Sequence, residues 1–298
     1  MVHTVRERAA GAAPPLPTAS EVLGRAGGEN FTVASRILGR RRREALLAIY
    51  GWARLVDEVG DSYRGDRLAA LDRLDQQLGA ALAGETAGVH PLVAAAAAQV
   101  ARWGTGEREL RGLLEANRQD QRVGTYSTFD ELLGYCRLSA NPVGRLVLLG
   151  FGVSTPERVA WSDAVCTALQ LAEHWQDLAE DSRAGRCYLP EEDLRRFGLE
   201  VADVHRAAAD RRAPWPLRGL VSWEVWRARQ LLDQGAPLVG SLRGGDRVAV
   251  AGFVAGGRAA LDAVAAVGYD PFPGAPAPAR ARLARHFAGL VANGGAPA

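Results

Sequence analysis

Two acidic patterns, far apart in the chain, most restrict what it can fold into. The first runs Tyr50-Gly-Trp-Ala-Arg54-Leu-Val-Asp57-Glu58-Val-Gly-Asp61. Leu47, Tyr50, Arg54, Asp57 and Asp61 recur at alternating spacings of three and four, which places them on one stripe of a helix. The adjoining stripe, Leu46, Ile49, Ala53, Val56 and Gly60, is apolar throughout. Asp57 and Asp61 then stand one turn apart, roughly 6 Å at Cβ, close enough to share a cation. The second pattern, Gln170 to Asp181, repeats the layout. Gln170, Glu173, Asp177 and Asp181 make a polar stripe beside Ala168, Leu171, Ala172, Trp175 and Leu178. One helix with carboxylates at i and i+4 is ordinarily a solvated face. Two such stripes, each with few basic residues of its own, favour helices that face each other across a cavity and hold metal between them.

Composition narrows the chemistry. The chain has 298 residues, enough for one large domain or two ordinary ones, is 48% apolar, and carries a formal charge of +2. That near-neutral balance gives no ground for a nucleic-acid partner. Every basic residue other than histidine is arginine, so phosphate must be met by arginine, backbone or metal. Cys136, Cys166 and Cys187 are widely spaced, with no CxxC or Cys/His zinc pattern, and read as free thiols in a reducing compartment. No apolar run approaches the roughly 20 residues that span a bilayer. The N-terminus, Arg6 and Arg8 followed by Pro14, Pro15 and Pro17, lacks the apolar core of a signal peptide. The expectation is a cytoplasmic protein without an obligate protein partner, with peripheral membrane contact left open.

Taken in order, the pattern predicts one all-α domain over residues 18–269, after a mobile tail over 1–17. Thr18 and Glu21 are spaced as a capping box for a first helix. Helices follow over Asp66 to Leu82, from Pro91 to Trp103, and from Glu107 to Asp120, where Asn117, Asp120 and Gln121 could line a cavity mouth. Thr128 to Phe151 reads as one long helix kinked at Pro142, whose small residues Ser139, Ala140 and Gly144 either leave room for a ligand or pack closely. The second acidic helix should run from Pro156 to Asp181, and Arg186 and Tyr188 follow it after a glycine turn. Glu191 to Phe197, Val201 to Asp210, Pro214 to Asp233 and Asp246 to Val267 are the remaining helices of the domain. Residues 270–298 read as a Pro/Ala-rich linker with a short amphipathic helix around Arg282 to Val291, more suited to packing than to a membrane surface. No strand alternation and no repeat is found.

Oxygen ligands suit Mg²⁺, which keeps waters and shares carboxylates with substrate phosphates. Four aspartates on two facing helices therefore suit a small Mg²⁺ cluster gripping a diphosphate, with Arg54, Arg186 and Tyr188 adding hydrogen bonds. Apolar helices around it would take a hydrocarbon, and the combination reads as diphosphate ionisation to a carbocation in a water-poor pocket. Neither a P-loop nor a dinucleotide fingerprint is present.

From Phe31 to about Tyr269 the chain resembles the squalene/phytoene synthase family. Tyr50 to Asp61 is similar to its first aspartate-rich motif, with Glu58 where an aspartate is common, and Gln170 to Asp181 is similar to the second. Glu173 stands where asparagine is frequent and Gln176 where condensing members often carry arginine. Three stretches most resemble the bacterial hydroxysqualene synthases: Glu29 to Ser35, Tyr135 to Gly144, and Trp175 to Pro190. The resemblance implies an isoprenoid-synthase helical bundle around a central cavity. It implies catalytic roles for Tyr50, Arg54, Asp57, Asp61, Asp177 and Asp181, with Glu173 joining the four aspartates as a metal ligand. Phe31, Tyr135, Asn141, Gln170, Arg186 and Tyr188 would contact substrate. The implied reaction is Mg²⁺-dependent conversion of presqualene diphosphate and water to hydroxysqualene and diphosphate, on the route to squalene and hopanoids. The alternatives are head-to-head condensation of two prenyl diphosphates and a non-catalytic scaffold of the same fold, which ought to have lost its acidic pairs.

Overall fold

The computed structural model describes residues 14–24 and 38–294, so the Glu29 to Ser35 stretch, Phe31 included, lies outside the described residues. Among them the chain forms α1 (Ala19–Gly24), α2 (Arg40–Ser62), α3 (Arg67–Leu82), α4 (Pro91–Trp103) and α5 (Glu107–Asp120). Next come α6 (Phe129–Ser139), α7 (Asn141–Phe151), α8 (Pro156–Gln176), α9 (Leu178–Arg183) and α10 (Glu191–Arg196). The set closes with α11 (Val201–Asp210), α12 (Trp215–Gly235), α13 (Pro237–Ser241), α14 (Gly244–Ala266) and α15 (Arg280–Asn293). The only extended pairing among the described residues is an isolated parallel bridge between Thr125 and Cys187.

Local chemistry explains where helices begin. Thr18 and Glu21 make the capping box: the Glu21 carboxylate accepts the Thr18 N–H at 2.7 Å and Thr18 Oγ1 accepts the Glu21 N–H at 3.3 Å. Asp66, Thr128 and Thr155 cap α3, α6 and α8 in the same sense. Residues 14–17 are pinned before α1 starts, because Tyr63 donates to the Pro14 carbonyl and His90 pairs with the Pro17 carbonyl; the rest of the predicted tail lies outside the described residues.

Three expectations need correction. Residues 128–151 form two helices, not one kinked helix. The break falls at Ala140, and Pro142 sits in the first turn of α7, where its missing N–H costs nothing. Residues 156–181 also divide, at Asp177, which leaves the helical region (φ −100°, ψ 13°) and starts α9. The segment after Tyr269 is not a loose linker. Phe272 is completely buried, and Asp270 accepts from Arg218 at 2.6 Å and from the Ala213 N–H at 3.0 Å.

The core is built around α8, which packs along α12, with α14 against both and α15 laid on α14. Gly257 makes the three-way junction feasible: a Cβ there would come within 2.6 Å of Leu169 and 3.2 Å of Leu232. By length and composition α14 could cross a membrane, which corrects the expectation that no such run exists, but more than half of its apolar window is buried inside the bundle. On the other side of the molecule the Trp52 indole donates to the Leu110 carbonyl at 3.1 Å and ties α2 to α5.

One cluster buries two carboxylates. Asp193 and Glu224 are 1% and 0% exposed and share the Arg227 guanidinium, which lies 3.7 Å over the Phe129 ring, while the exposed Arg196 adds a bond to Asp193 at 3.1 Å. Burial pushes Glu224 up to about 7, and Arg227 offsets this only in part. A carboxyl raised on folding favours the protonated form. Its contribution is therefore present below the ordinary value of 4.5 and lost as pH rises through about 7. Glu224→Gln should flatten the decline of unfolding free energy between pH 5 and 8, measured by urea titration. Phe272→Ala should cost about 3–5 kcal/mol in the same assay, whereas a true linker residue would cost nothing measurable.

Candidate active site

One cavity of about 320 Å³ collects the acidic residues of both patterns. Its walls are Arg54, Asp57 and Asp61 from α2; Leu113, Asn117 and Asp120 from α5; Tyr135 and Ser139 from α6; and Gln170, Glu173 and His174 from α8. Asp177, at the α8–α9 break, Glu180 and Asp181 on α9, and Arg186 and Tyr188 on the following loop complete it.

Two glycines set the geometry. Gly60 lets α5 approach α2, since a Cβ at that position would lie 2.0 Å from Asn117 Oδ1. At this range Asn117 Nδ2 donates to Asp57 Oδ1 at 3.2 Å, and Gln121 donates to the Gly60 carbonyl at 3.0 Å. Gly185, at φ 79°, ends α9 in a Schellman-type turn, with the Arg186 N–H on the Asp181 carbonyl at 2.8 Å and its own N–H on Ser182. That turn folds the Arg186 side chain back over the cavity. Its guanidinium stands 3.4 Å from Asp61 Oδ1 and 3.4 Å from Asp181 Oδ1, so the two acidic stretches meet across one arginine. The loop is clamped by main-chain bonds, Cys187 N–H to Gly124 O and Glu191 N–H to Tyr126 O.

A ring cluster forms the adjoining wall. Tyr135 donates to Asp120 Oδ2 at 2.8 Å and Tyr188 to Asp120 Oδ1 at 3.4 Å. His174 stacks on Tyr188 with centroids 3.7 Å apart, and Tyr126 packs against both tyrosines. Burial holds the Tyr135 and Tyr188 hydroxyls well above their usual range, so both remain donors. Burial, aided by Arg186, pushes His174 down to about 3 and keeps its imidazole neutral.

Among the described residues, seven carboxylates face two guanidiniums in this space. Burial pushes Asp57, Asp120 and Asp181 each up to about 6, and neighbouring acids add to the effect at all three. Asp177 is raised by burial and by Glu180. No group of three His, Cys, Asp or Glu side chains among the described residues converges closely enough to hold a metal ion unaided. Carboxylate oxygens dominate the donors, with the neutral His174 imidazole as the one ring-nitrogen group among the described lining residues. This fits Mg²⁺ completed by water and phosphate better than it fits zinc.

Of the residues singled out in the sequence, Arg54, Asp57, Asp61, Tyr135, Gln170, Glu173, Asp177, Asp181, Arg186 and Tyr188 all line the cavity. Tyr50 is buried in α2 away from the lining, and Asn141 is buried and accepts a hydrogen bond from Thr167 Oγ1 at 2.9 Å. Gln176 turns away to the Pro276 carbonyl at 2.6 Å. Gly144 serves close packing, because a Cβ there would meet Ser162 Oγ at 2.3 Å and Cys166 Sγ at 2.5 Å. The expected oily chamber is not outlined by the described lining of this cavity, where the aliphatic residue is Leu113. His174 and Glu180 were missed, whereas Ser139, read as leaving room for a ligand, does line the cavity. His174 sits four residues after Gln170, on the same stripe, and that spacing was the available signal.

An all-helical bundle whose two aspartate-rich segments close on one cavity is the architecture that the sequence resemblance implies. The squalene/phytoene synthase family model matches residues 25–286, and the chain belongs to that family. A hydroxysqualene synthase from Rhodopseudomonas palustris is 36% identical over 219 residues, 72% of this chain and 72% of its own. The chloroplastic phytoene synthase 3 of Zea mays is 32% identical over 252 residues, 82% of this chain, and the match spans 58% of the maize protein's length. The crystal structure of squalene synthase HpnC from Alicyclobacillus acidocaldarius superposes with a TM-score of 0.77 at 40% identity, covering 84% of this chain and 93% of that one.

Gly60→Ala tests the close α2–α5 approach. It should destabilise the protein by about 1–3 kcal/mol, because Asn117 must move, and Asn117→Ala in the same chain should recover most of that loss in thermal unfolding.

Proposed function

We propose that the protein converts presqualene diphosphate and water to hydroxysqualene and diphosphate, with Mg²⁺ as its cofactor, in squalene and hopanoid formation. The observation that carries this reading is the Arg186 guanidinium, 3.4 Å from both Asp61 and Asp181, which brings the two acidic segments to one diphosphate-sized opening. Similarity to named hydroxysqualene synthases supports the choice of substrate.

Asp57 and Asp61 on one side, and Glu173, Asp177 and Asp181 on the other, would hold the metal. Bound there, Mg²⁺ would neutralise charge on the departing diphosphate. Arg54 and Arg186 bind diphosphate oxygens by charge-assisted hydrogen bonds, and Gln170 orients the substrate. Asp120 fixes the hydroxyls of Tyr135 and Tyr188, so their rings hold position beside the neutral His174. This wall is rich in π electrons and carries no positive charge, which suits a carbocation. The cyclopropylcarbinyl cation rearranges and water oxygen forms the new C–O bond. The proton released from that water goes to diphosphate, the strongest base set free in the cavity.

The second reading, condensation of two prenyl diphosphates, is supported by the maize phytoene synthase, which aligns over more of this chain than the hydroxysqualene synthases do. Product analysis separates them. Presqualene diphosphate with Mg²⁺ and no reductant should give hydroxysqualene, and product from farnesyl diphosphate alone would establish the condensing reaction instead. Asp177→Asn should lower turnover by roughly 100-fold or more while circular dichroism keeps the helical signal. Unchanged turnover would remove Asp177 from the site.

A further inference from the structure

We propose that the aromatic face of α12 docks the protein peripherally on an anionic lipid bilayer. Trp215 is 82% exposed and Trp226 49%, the two most exposed large apolar side chains among the described residues. Eleven residues separate them, three helical turns, so both project from the same side of α12, about 16 Å apart along its axis. The stripe between them is aromatic as well. Phe197 covers Gly219, and Trp223 stacks on Trp226 with centroids 4.8 Å apart. Such a face exposes indole rings over a length that ordinary scattered surface residues do not reach.

The surroundings say what covers it. Trp215 stands between exposed Pro214 and Pro216, and the Arg218 guanidinium lies 5.3 Å over its ring. Arg211 and Arg212, just before it, are exposed and have no carboxylate partner among the described residues. Arg211 is held at φ 54° and donates to the Pro273 carbonyl. Asp203 is occupied by Arg206 and by the start of α11, which leaves Asp210 as the one unengaged acid of the groove beside Trp215. Positive charge beside interfacial indoles complements anionic headgroups, with the rings at the boundary of headgroup and acyl chain. Neither α14 nor α15 offers such a face, since α14 is largely buried and α15 packs on it. The placement also serves a hydrocarbon substrate: α11, which ends next to Arg211, packs on α9, the helix that carries Asp181. The inference rests on the surface alone and not on which diphosphate is used.

Co-sedimentation of the full chain with vesicles tests it. Binding should be seen with phosphatidylcholine vesicles containing phosphatidylglycerol, be weak with phosphatidylcholine alone, and fall as salt is raised. The double variant Trp215→Ala/Trp226→Ala should lower partitioning about tenfold with its helical signal and unfolding temperature unchanged. Arg211→Gln/Arg212→Gln should lower it on anionic vesicles only. No binding of the natural chain, or equal binding by the tryptophan variant, would overturn the proposal. So would light scattering that shows a dimer which the tryptophan substitutions dissociate, because a second copy would then be the occupant.

Discussion

Everything in the site depends on negative charge gathered around one opening, with Asp181 buried, Asp57, Asp120 and Asp177 half-buried, and Asp61, Glu173 and Glu180 at the exposed rim. Carboxylates at one-turn spacing repel each other even on a solvated helix. Here four such groups from two segments, joined by Asp120, Glu173 and Glu180, are drawn into one cavity, where the guanidiniums among the described lining residues are Arg54 and Arg186. The cost appears in Asp57, Asp120 and Asp181, each held near 6. A fold that keeps this arrangement is poised for cations and for the oxygens of a polyanionic ligand, and the raised carboxyls are the physical trace of that readiness.

The scaffold tolerates the cluster because rigid packing surrounds it. The α8–α12–α14 core fixes one acidic segment, and Trp52 with the Gly60–Asn117 contact fixes the other. Between them the Arg186 loop is not free to swing, since its main chain is bonded to residues 124 and 126 and its turn is closed by Gly185. The Tyr135–Asp120–Tyr188 contacts then convert a charged opening into an aromatic one over a few ångströms. A diphosphate needs the first and a carbocation the second, and the structure sets them side by side.

How much of this could be read in the sequence follows from what periodicity encodes. The two stripes were legible because three-and-four spacing is a property of helices, and the residues on them do line the cavity, apart from Leu47 and Tyr50. That the stripes face each other was inferred from their likeness, and Arg186, found only by its nearness in sequence to Asp181, is what joins them. Helix breaks at Ala140 and Asp177 were not legible, since neither is marked by glycine or by proline at the break itself. Phe272 and Asp270 were hidden among prolines and glycines, whose composition signals a loop but not whether it is buried. Asn141, which the family resemblance marks as a substrate contact, is buried and accepts a hydrogen bond from Thr167, a tertiary contact that sequence spacing does not encode.

The central claim is that Asp61 and Asp181 act on one bound cation–diphosphate assembly. A double-mutant cycle on Mn²⁺–diphosphate affinity, with binding read from the electron paramagnetic resonance of free Mn²⁺, tests it without reference to turnover. The account predicts that Asp61→Asn and Asp181→Asn each weaken binding and that the double variant departs from additivity by about 1 kcal/mol or more. Losses that add to within about 0.3–0.5 kcal/mol would show two separate sites and contradict the account.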